Sequence, residues 1–135
     1  MNISELSIYV GGSLTLLMFL FHTRFYKLFR WKMDFKKITT ANKRILYTIH
    51  IALYLLFLGF SFITFNYASE LSASTGISLG INLILSLFWL WRTVWQIIYF
   101  KPDKKSKLFI MHYILIIVFF LLFIAYAVPI VVRII

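Results

Sequence analysis

Four long apolar segments, separated by short polar stretches, constrain this chain more than any other feature of its sequence. They cover residues 5–24, 45–67, 77–100 and 108–132. The hydrocarbon core of a bilayer is about 30 Å thick and is crossed by about 20 mostly apolar helical residues, which each segment approaches or exceeds. Backbone polar groups in hydrocarbon must be satisfied within the segment, so each crossing has to be an α-helix. The pattern predicts an all-α integral membrane protein, with residues 1–135 forming a single transmembrane domain.

The first apolar segment also has to be compared with a secretory signal peptide, which it resembles in position. Its uninterrupted apolar part covers residues 6–21. Glu5 precedes this part where a signal peptide has a basic stretch, and His22, Thr23 and Arg24 follow it where small residues would mark a cleavage site. We therefore expect the segment to be retained as the first membrane span.

The positive charges of the chain indicate its orientation. The formal net charge is +10, and all but two of the 14 Lys and Arg residues lie in residues 24–44 and 101–107. The two exceptions are Arg92 and Arg133. Cationic loops next to membrane spans stay in the cytoplasm, so we expect loops 25–44 and 101–107 to be cytoplasmic and both termini to lie outside. Charge placed in this way sets topology, and no nucleic-acid partner is expected.

Polar and small residues recur along one face of each apolar segment. In the third segment the intervals are four, three, four and three residues, which keeps the side chains on one side of a helix. Such a period near 3.5 predicts left-handed packing and hence an antiparallel four-helix transmembrane bundle. The four faces comprise Gly11, Thr15, Met18 and His22; Tyr47, His50, Tyr54 and Ser61; Asn82, Ser86, Trp89, Thr93 and Gln96; and His112, Phe119, Tyr126 and Arg133.

Arg92 is the one cationic residue in the interior of a predicted span. It lies nine residues before Lys101, which places it about 13 Å from that boundary along a helix. A buried charge is costly unless it is paired. The four acidic residues of the chain, Glu5, Asp34, Glu70 and Asp103, all lie outside that depth. The partners of Arg92 are therefore expected to be neutral acceptors, aromatic faces, loop carboxylates that reach inward, or a bound anion.

Residues near Arg92 in depth predict a polar pocket on the cytoplasmic side. His50 and His112 enter the second and fourth spans from the same side, Gln96 lies one helical turn from Arg92, and Trp89 and Trp95 flank it for cation–π contact. His22 lies nearer the surface and is interpreted as an interfacial residue. The predicted ligand-binding residues are Arg92, His50, Gln96, His112, Trp89 and Tyr54.

Three classes of function fit this pocket. The first is a binding or accessory subunit of the cell membrane that holds an anionic or polar ligand such as a lipid headgroup, because arginine binds phosphate or carboxylate bidentately. The second is electron transfer through a b-type haem with His50 and His112 as axial ligands. The third is a small transporter or channel subunit. Beyond the bilayer, a membrane-protein partner or a homo-oligomer stays an open alternative.

An enzyme is the less favoured alternative. The chain has no cysteine, which excludes thiolate nucleophiles, and it has no HExxH motif. An arginine that holds a diphosphate and a histidine that acts as a base would be the remaining route to catalysis.

Overall fold

The computed structural model describes residues 1–135 and contains helices without any β-strand. Four of the helices are long and apolar enough to cross a membrane: α1, α4, α6 and α7. The protein is therefore a multi-pass helical membrane protein. The elements in chain order are α1 (Ile3–His22), α2 (Phe25–Leu28), α3 (Trp31–Asp34), α4 (Thr40–Asn66), α5 (Ala68–Ala73), α6 (Gly76–Ile98) and α7 (Leu108–Ile134).

The long helices agree with the predicted spans except at their ends. The largest difference is at α4, which begins at Thr40, five residues before the apolar segment. Thr39 caps this end, because its hydroxyl accepts a hydrogen bond from the backbone N–H of Asn42 at 3.3 Å. A helix can continue beyond the hydrocarbon once its end is capped, so apolarity alone does not determine where it begins.

The segment between α1 and α4 folds into two short helices. Helices α2 and α3 each span four residues, and Arg30 between them has a left-handed backbone with φ of 52°. The polar stretch after α4 also contains a helix, α5. Ser74, the residue that follows this helix, has a left-handed backbone with φ of 50°. These turns fold the connecting segments back against the long helices.

Helix α1 packs between two other long helices. It lies against α4 on one side and α7 on the other, and α6 packs on the far side of α7, while the backbones of α4 and α6 stay farther apart. The polar face predicted for α6 is confirmed: Asn82, Ser86 and Gln96 are buried. Leu83 and Leu87 on the opposite face are exposed, as expected for positions against lipid.

Glycines allow α1 to approach its neighbours closely. A methyl group at Gly11 would meet the Tyr126 ring at 3.0 Å, and one at Gly12 would meet Thr64 at 2.9 Å. The fully buried Tyr126 hydroxyl joins the three helices, because it lies 3.2 Å from Thr15 Oγ1 and 3.1 Å from Thr64 Oγ1. Small residues that permit such approach are the usual basis of helix packing in membranes.

The Gly12→Ala substitution is expected to destabilise the fold by about 1–3 kcal/mol, because the new methyl group overpacks against a β-branched side chain that cannot rotate away. The free energy of unfolding in detergent or bilayers provides the measurement. Gly59→Ala is the matched control, since nothing lies within 4 Å of a methyl group at Gly59. Equal stability of the two variants would show that the α1–α4 contact is looser than described.

Candidate functional site

Two adjoining cavities lie at the end of the molecule that carries residues 24–44 and 101–107, which we call the basic end. The inner cavity, of about 280 Å³, lies between α1, α4, α6 and α7. The basic-end cavity, of about 260 Å³, lies beneath α2 and α3. Phe25 and Arg92 line both, so they separate one space from the other. The inner cavity is lined by Met18, His22, Phe25, Leu53, Phe57, Phe88, Trp89, Trp91, Arg92 and Phe119.

Arg92 supplies the positive charge at this boundary. The residue is half-buried, and its guanidinium carbon lies 4.8 Å from the centre of the Phe119 ring and 5.8 Å from that of Trp91. These rings take the place of Trp89 and Trp95, which the sequence suggested for cation–π contact. No acidic residue lines either cavity. The charge is therefore partly stabilised by aromatic faces and has no counter-ion.

His50 and Tyr54 are occupied in holding the end of α1. The Tyr54 hydroxyl donates to the backbone carbonyl of His22 at 2.8 Å. His50 Nε2 lies 3.0 Å from the same carbonyl and 2.9 Å from the Tyr54 hydroxyl, so Nε2 carries the proton and donates. Carbonyls in the last turn of a helix have no partner within it. These two predicted ligand-binding residues therefore cap α1 and position the chain around the cavity.

The prediction that His22 is an interfacial residue was wrong. The sequence places it near the surface, but it is 7% exposed and lines the inner cavity. Its ring stacks on Phe25 with centres 4.2 Å apart, and its Nδ1 donates to the Met18 carbonyl at 2.8 Å. The reason for the difference is that Phe25 in α2 folds over the ring and covers it.

Gln96 and His112 form a separate pair. Gln96 Nε2 lies 3.1 Å from His112 Nδ1, and since an amide N–H donates, Nδ1 is the acceptor and His112 carries its proton on Nε2. Gln96 lines the basic-end cavity, whereas His112 lines neither cavity. The predicted single cluster of arginine, histidines and glutamine is therefore divided: Arg92 and Gln96 face a common space, and His112 supports Gln96 from behind.

Trp89 forms the buried wall of the inner cavity. Its ring is stacked between Phe57 and Phe119, with centres 5.7 Å and 5.6 Å away. The side chain is 1% exposed, and its Nε1 is one of two buried side-chain polar atoms in the protein that lack a hydrogen-bond partner. An unsatisfied buried donor costs roughly 1–3 kcal/mol.

The geometry gives little support to haem ligation by His50 and His112. His50 Nε2, the nitrogen that would face an iron, is engaged with the His22 carbonyl and Tyr54. Neither histidine lines the inner cavity or the basic-end cavity, and no group of three or more potential metal ligands is present.

A further cavity, of about 320 Å³, lies at the opposite end between α4, α5 and α6. Its walls are mainly apolar, and Glu70, its one charged residue, is exposed. A binding site is typically apolar with a few polar groups that converge on one point. The cavities around Arg92 meet that description better, because charged and polar side chains from α1 and α6 meet there.

No known protein family, curated protein or solved structure matches this chain. The argument for function therefore rests on the cavities around Arg92 and on the residues that line them.

The shared hydrogen bond at the end of α1 makes a testable prediction. Tyr54→Phe and His50→Phe should each destabilise the protein modestly, since one donor to the His22 carbonyl remains. The double variant should lose about 1 kcal/mol more than the sum, because it leaves the carbonyl without a partner. A double-mutant cycle of unfolding free energies measures this coupling. Tyr113→Phe, at a 52% exposed tyrosine, is the control, and strict additivity would contradict the assigned bonds.

Proposed function

We propose that this protein is an antiparallel four-helix bundle of the cell membrane, with both termini outside and the basic end in the cytoplasm. The support is the distribution of charge, since residues 24–44 and 101–107 carry most of the cationic side chains. They also lie together: Arg30 and Lys107 line one cavity at the basic end. The orientation matters because it decides which leaflet reaches Arg92.

Reporter fusions test this orientation. A reporter that is active only in the cytoplasm should respond when inserted near Lys36 or Lys104, and should stay inactive at the C-terminus or near Glu70. An even number of crossings keeps both termini on one side, so a cytoplasmic C-terminus with an outside N-terminus would contradict four spans.

We further propose that the protein binds an anionic lipid from the cytoplasmic leaflet, as a binding or accessory subunit. The observation that carries this proposal is the position of Arg92: its guanidinium lies between two cavities, neither of which has an acidic wall residue. A charge without a counter-ion in a low-dielectric site is costly to the protein alone. A guanidinium binds a phosphate or carboxylate through paired hydrogen bonds, which would offset this cost.

The shapes of the two cavities suit a molecule with an apolar chain and a charged head. Eight of the ten residues around the inner cavity are hydrophobic, which fits an acyl or isoprenoid chain. The basic-end cavity adds Gln96 beside Arg92 and lies under α2 and α3. A headgroup at Arg92 would therefore have its tail towards the bilayer centre and its polar end towards the cytoplasm.

Lipid can reach this site sideways. The backbones of α4 and α6 do not pack closely against each other, and Trp91, which lines the inner cavity from α6, is 52% exposed on the outer surface of the protein. A ring that lines the cavity on one side and faces acyl chains on the other forms a lateral wall. We infer that the ligand comes from the membrane rather than from water.

The transporter or channel alternative lacks comparable support in the site. Transport coupled to protons generally uses an ionisable carboxylate within the spans, and the four acidic residues lie at helix ends or in connecting segments. A binding or accessory role needs only the cavity and its charge.

Arg92→Met tests lipid binding directly. The variant should lose its co-purified anionic lipid, because the charge that pairs with the headgroup is gone. Its fold should be retained with equal or greater stability, since replacing a buried ion by an apolar residue is often neutral or stabilising. Lipid mass spectrometry of the purified protein and a thermal unfolding curve provide the measurements.

Arg44→Met is the matched control, because Arg44 is an exposed arginine at the basic end. It should keep the bound lipid. Unchanged lipid content in a folded Arg92→Met protein would overturn the proposed site, whereas unfolding of that variant would indicate that Arg92 locks the bundle.

A further inference from the structure

The inner cavity is lined by polar side chains that the fold leaves without a full set of partners. Besides Arg92, His22 is one of them. His22 Nδ1 faces the Met18 carbonyl, which can only accept, so Nδ1 holds the proton of the neutral ring and Nε2 presents a lone pair. The side chain is more than nine-tenths buried. Its free nitrogen therefore belongs to the cavity and not to the protein surface.

Arg92 and His22 define complementary requirements for a ligand. Arg92 requires an ionised oxygen. The Nε2 lone pair of His22 requires a donor. A headgroup that satisfies both must carry negative charge and a hydrogen-bond donor close together, because the two side chains line one small cavity.

We propose that the ligand is a lipid phosphate monoester, with the phosphate held by Arg92 and one proton shared between a phosphate oxygen and His22 Nε2. This inference rests on the proposed lipid-binding function and specifies its headgroup. A phosphate monoester is partly protonated near neutral pH because its second pKa is about 6. A single phosphorus atom therefore presents charged oxygens, acceptor oxygens and a P–O–H donor.

Two simpler anionic headgroups, a fatty acid and a simple phosphate diester, satisfy Arg92 but not His22. An ionised fatty acid has charge and acceptors but no donor. A simple phosphate diester has lost its last P–O–H to the second ester bond. Either would leave His22 Nε2 without a partner in a largely dehydrated site, which is unfavourable. Selectivity for a monoester would therefore come from His22, while Arg92 supplies general affinity for anions.

The test compares two lipids with identical acyl chains. The protein is placed in phosphatidylcholine nanodiscs that contain either dioleoyl phosphatidic acid, a monoester, or dioleoyl phosphatidylmethanol, a diester, and bound lipid is measured by native mass spectrometry after release. We expect about a tenfold preference for phosphatidic acid, the size of effect that one charge-assisted hydrogen bond gives. Inorganic phosphate, which has the headgroup chemistry without a tail, should not displace it at equal concentration.

His22→Phe separates the hydrogen bond from simple charge. Phosphatidic acid can carry more negative charge than its methyl ester, and any preference caused by charge alone would persist in this variant. We expect the preference to fall to about twofold or less. Trp95→Phe, at an exposed tryptophan of α6, is the control and should keep the wild-type preference.

The outcomes distinguish this inference from the function on which it rests. Equal binding of the two lipids by the wild-type protein, or a preference that survives in His22→Phe, would overturn the monoester while leaving lipid binding at Arg92 intact. Failure of both anionic lipids to bind above phosphatidylcholine would overturn the lipid-binding function as well. Displacement of phosphatidic acid by inorganic phosphate would show that the site recognises free phosphate instead of a lipid. Equal binding of the two lipids by the wild-type protein would overturn the monoester even if a variant fails to fold.

Discussion

The close packing of α1 against both α4 and α7 is the interaction on which the rest of the structure depends. Two glycines allow that approach, and the Tyr126 hydroxyl fastens it by contacting Thr15 on one helix and Thr64 on another. In a membrane, helix association depends on van der Waals contact and hydrogen bonds, because apolar burial alone does not distinguish protein from lipid. This contact sets the path of α1 and therefore brings its last residue, His22, to the wall of the inner cavity.

The end of α1 connects this packing with the site. A helix that ends inside the protein leaves carbonyl groups that need donors, and the His22 carbonyl obtains two of them from His50 and Tyr54. The cap fixes the backbone at His22, while the bond from Nδ1 to Met18 fixes its ring. Two polar residues of α4 thus act on the cavity without lining it, by determining where His22 presents its free nitrogen.

The polar side chains within the bundle differ in whether they have partners in the protein. Thr15, Thr64 and Tyr126 satisfy one another, and Gln96 is paired with His112. Arg92 differs, since it has no counter-ion although it lines a mainly apolar cavity. Burial makes an unmet polar group costly, so such a group indicates either strain or a ligand.

The sequence by itself determined the four membrane-crossing helices, the buried face of α6 and the exceptional position of Arg92, because apolar length, helical period and missing acids are local properties that need no knowledge of neighbours. The spacing of His22 from Met18 also placed it on the packing face of α1. The interpretation of His22 as an interfacial residue gave more weight to its position at the end of the helix. Only the tertiary structure decided the partners. His50 caps a carbonyl, His112 supports an amide and His22 faces a cavity. Which role each histidine takes depends on which helices meet and on how α2 and α3 fold back. Both result from packing between residues far apart in the chain.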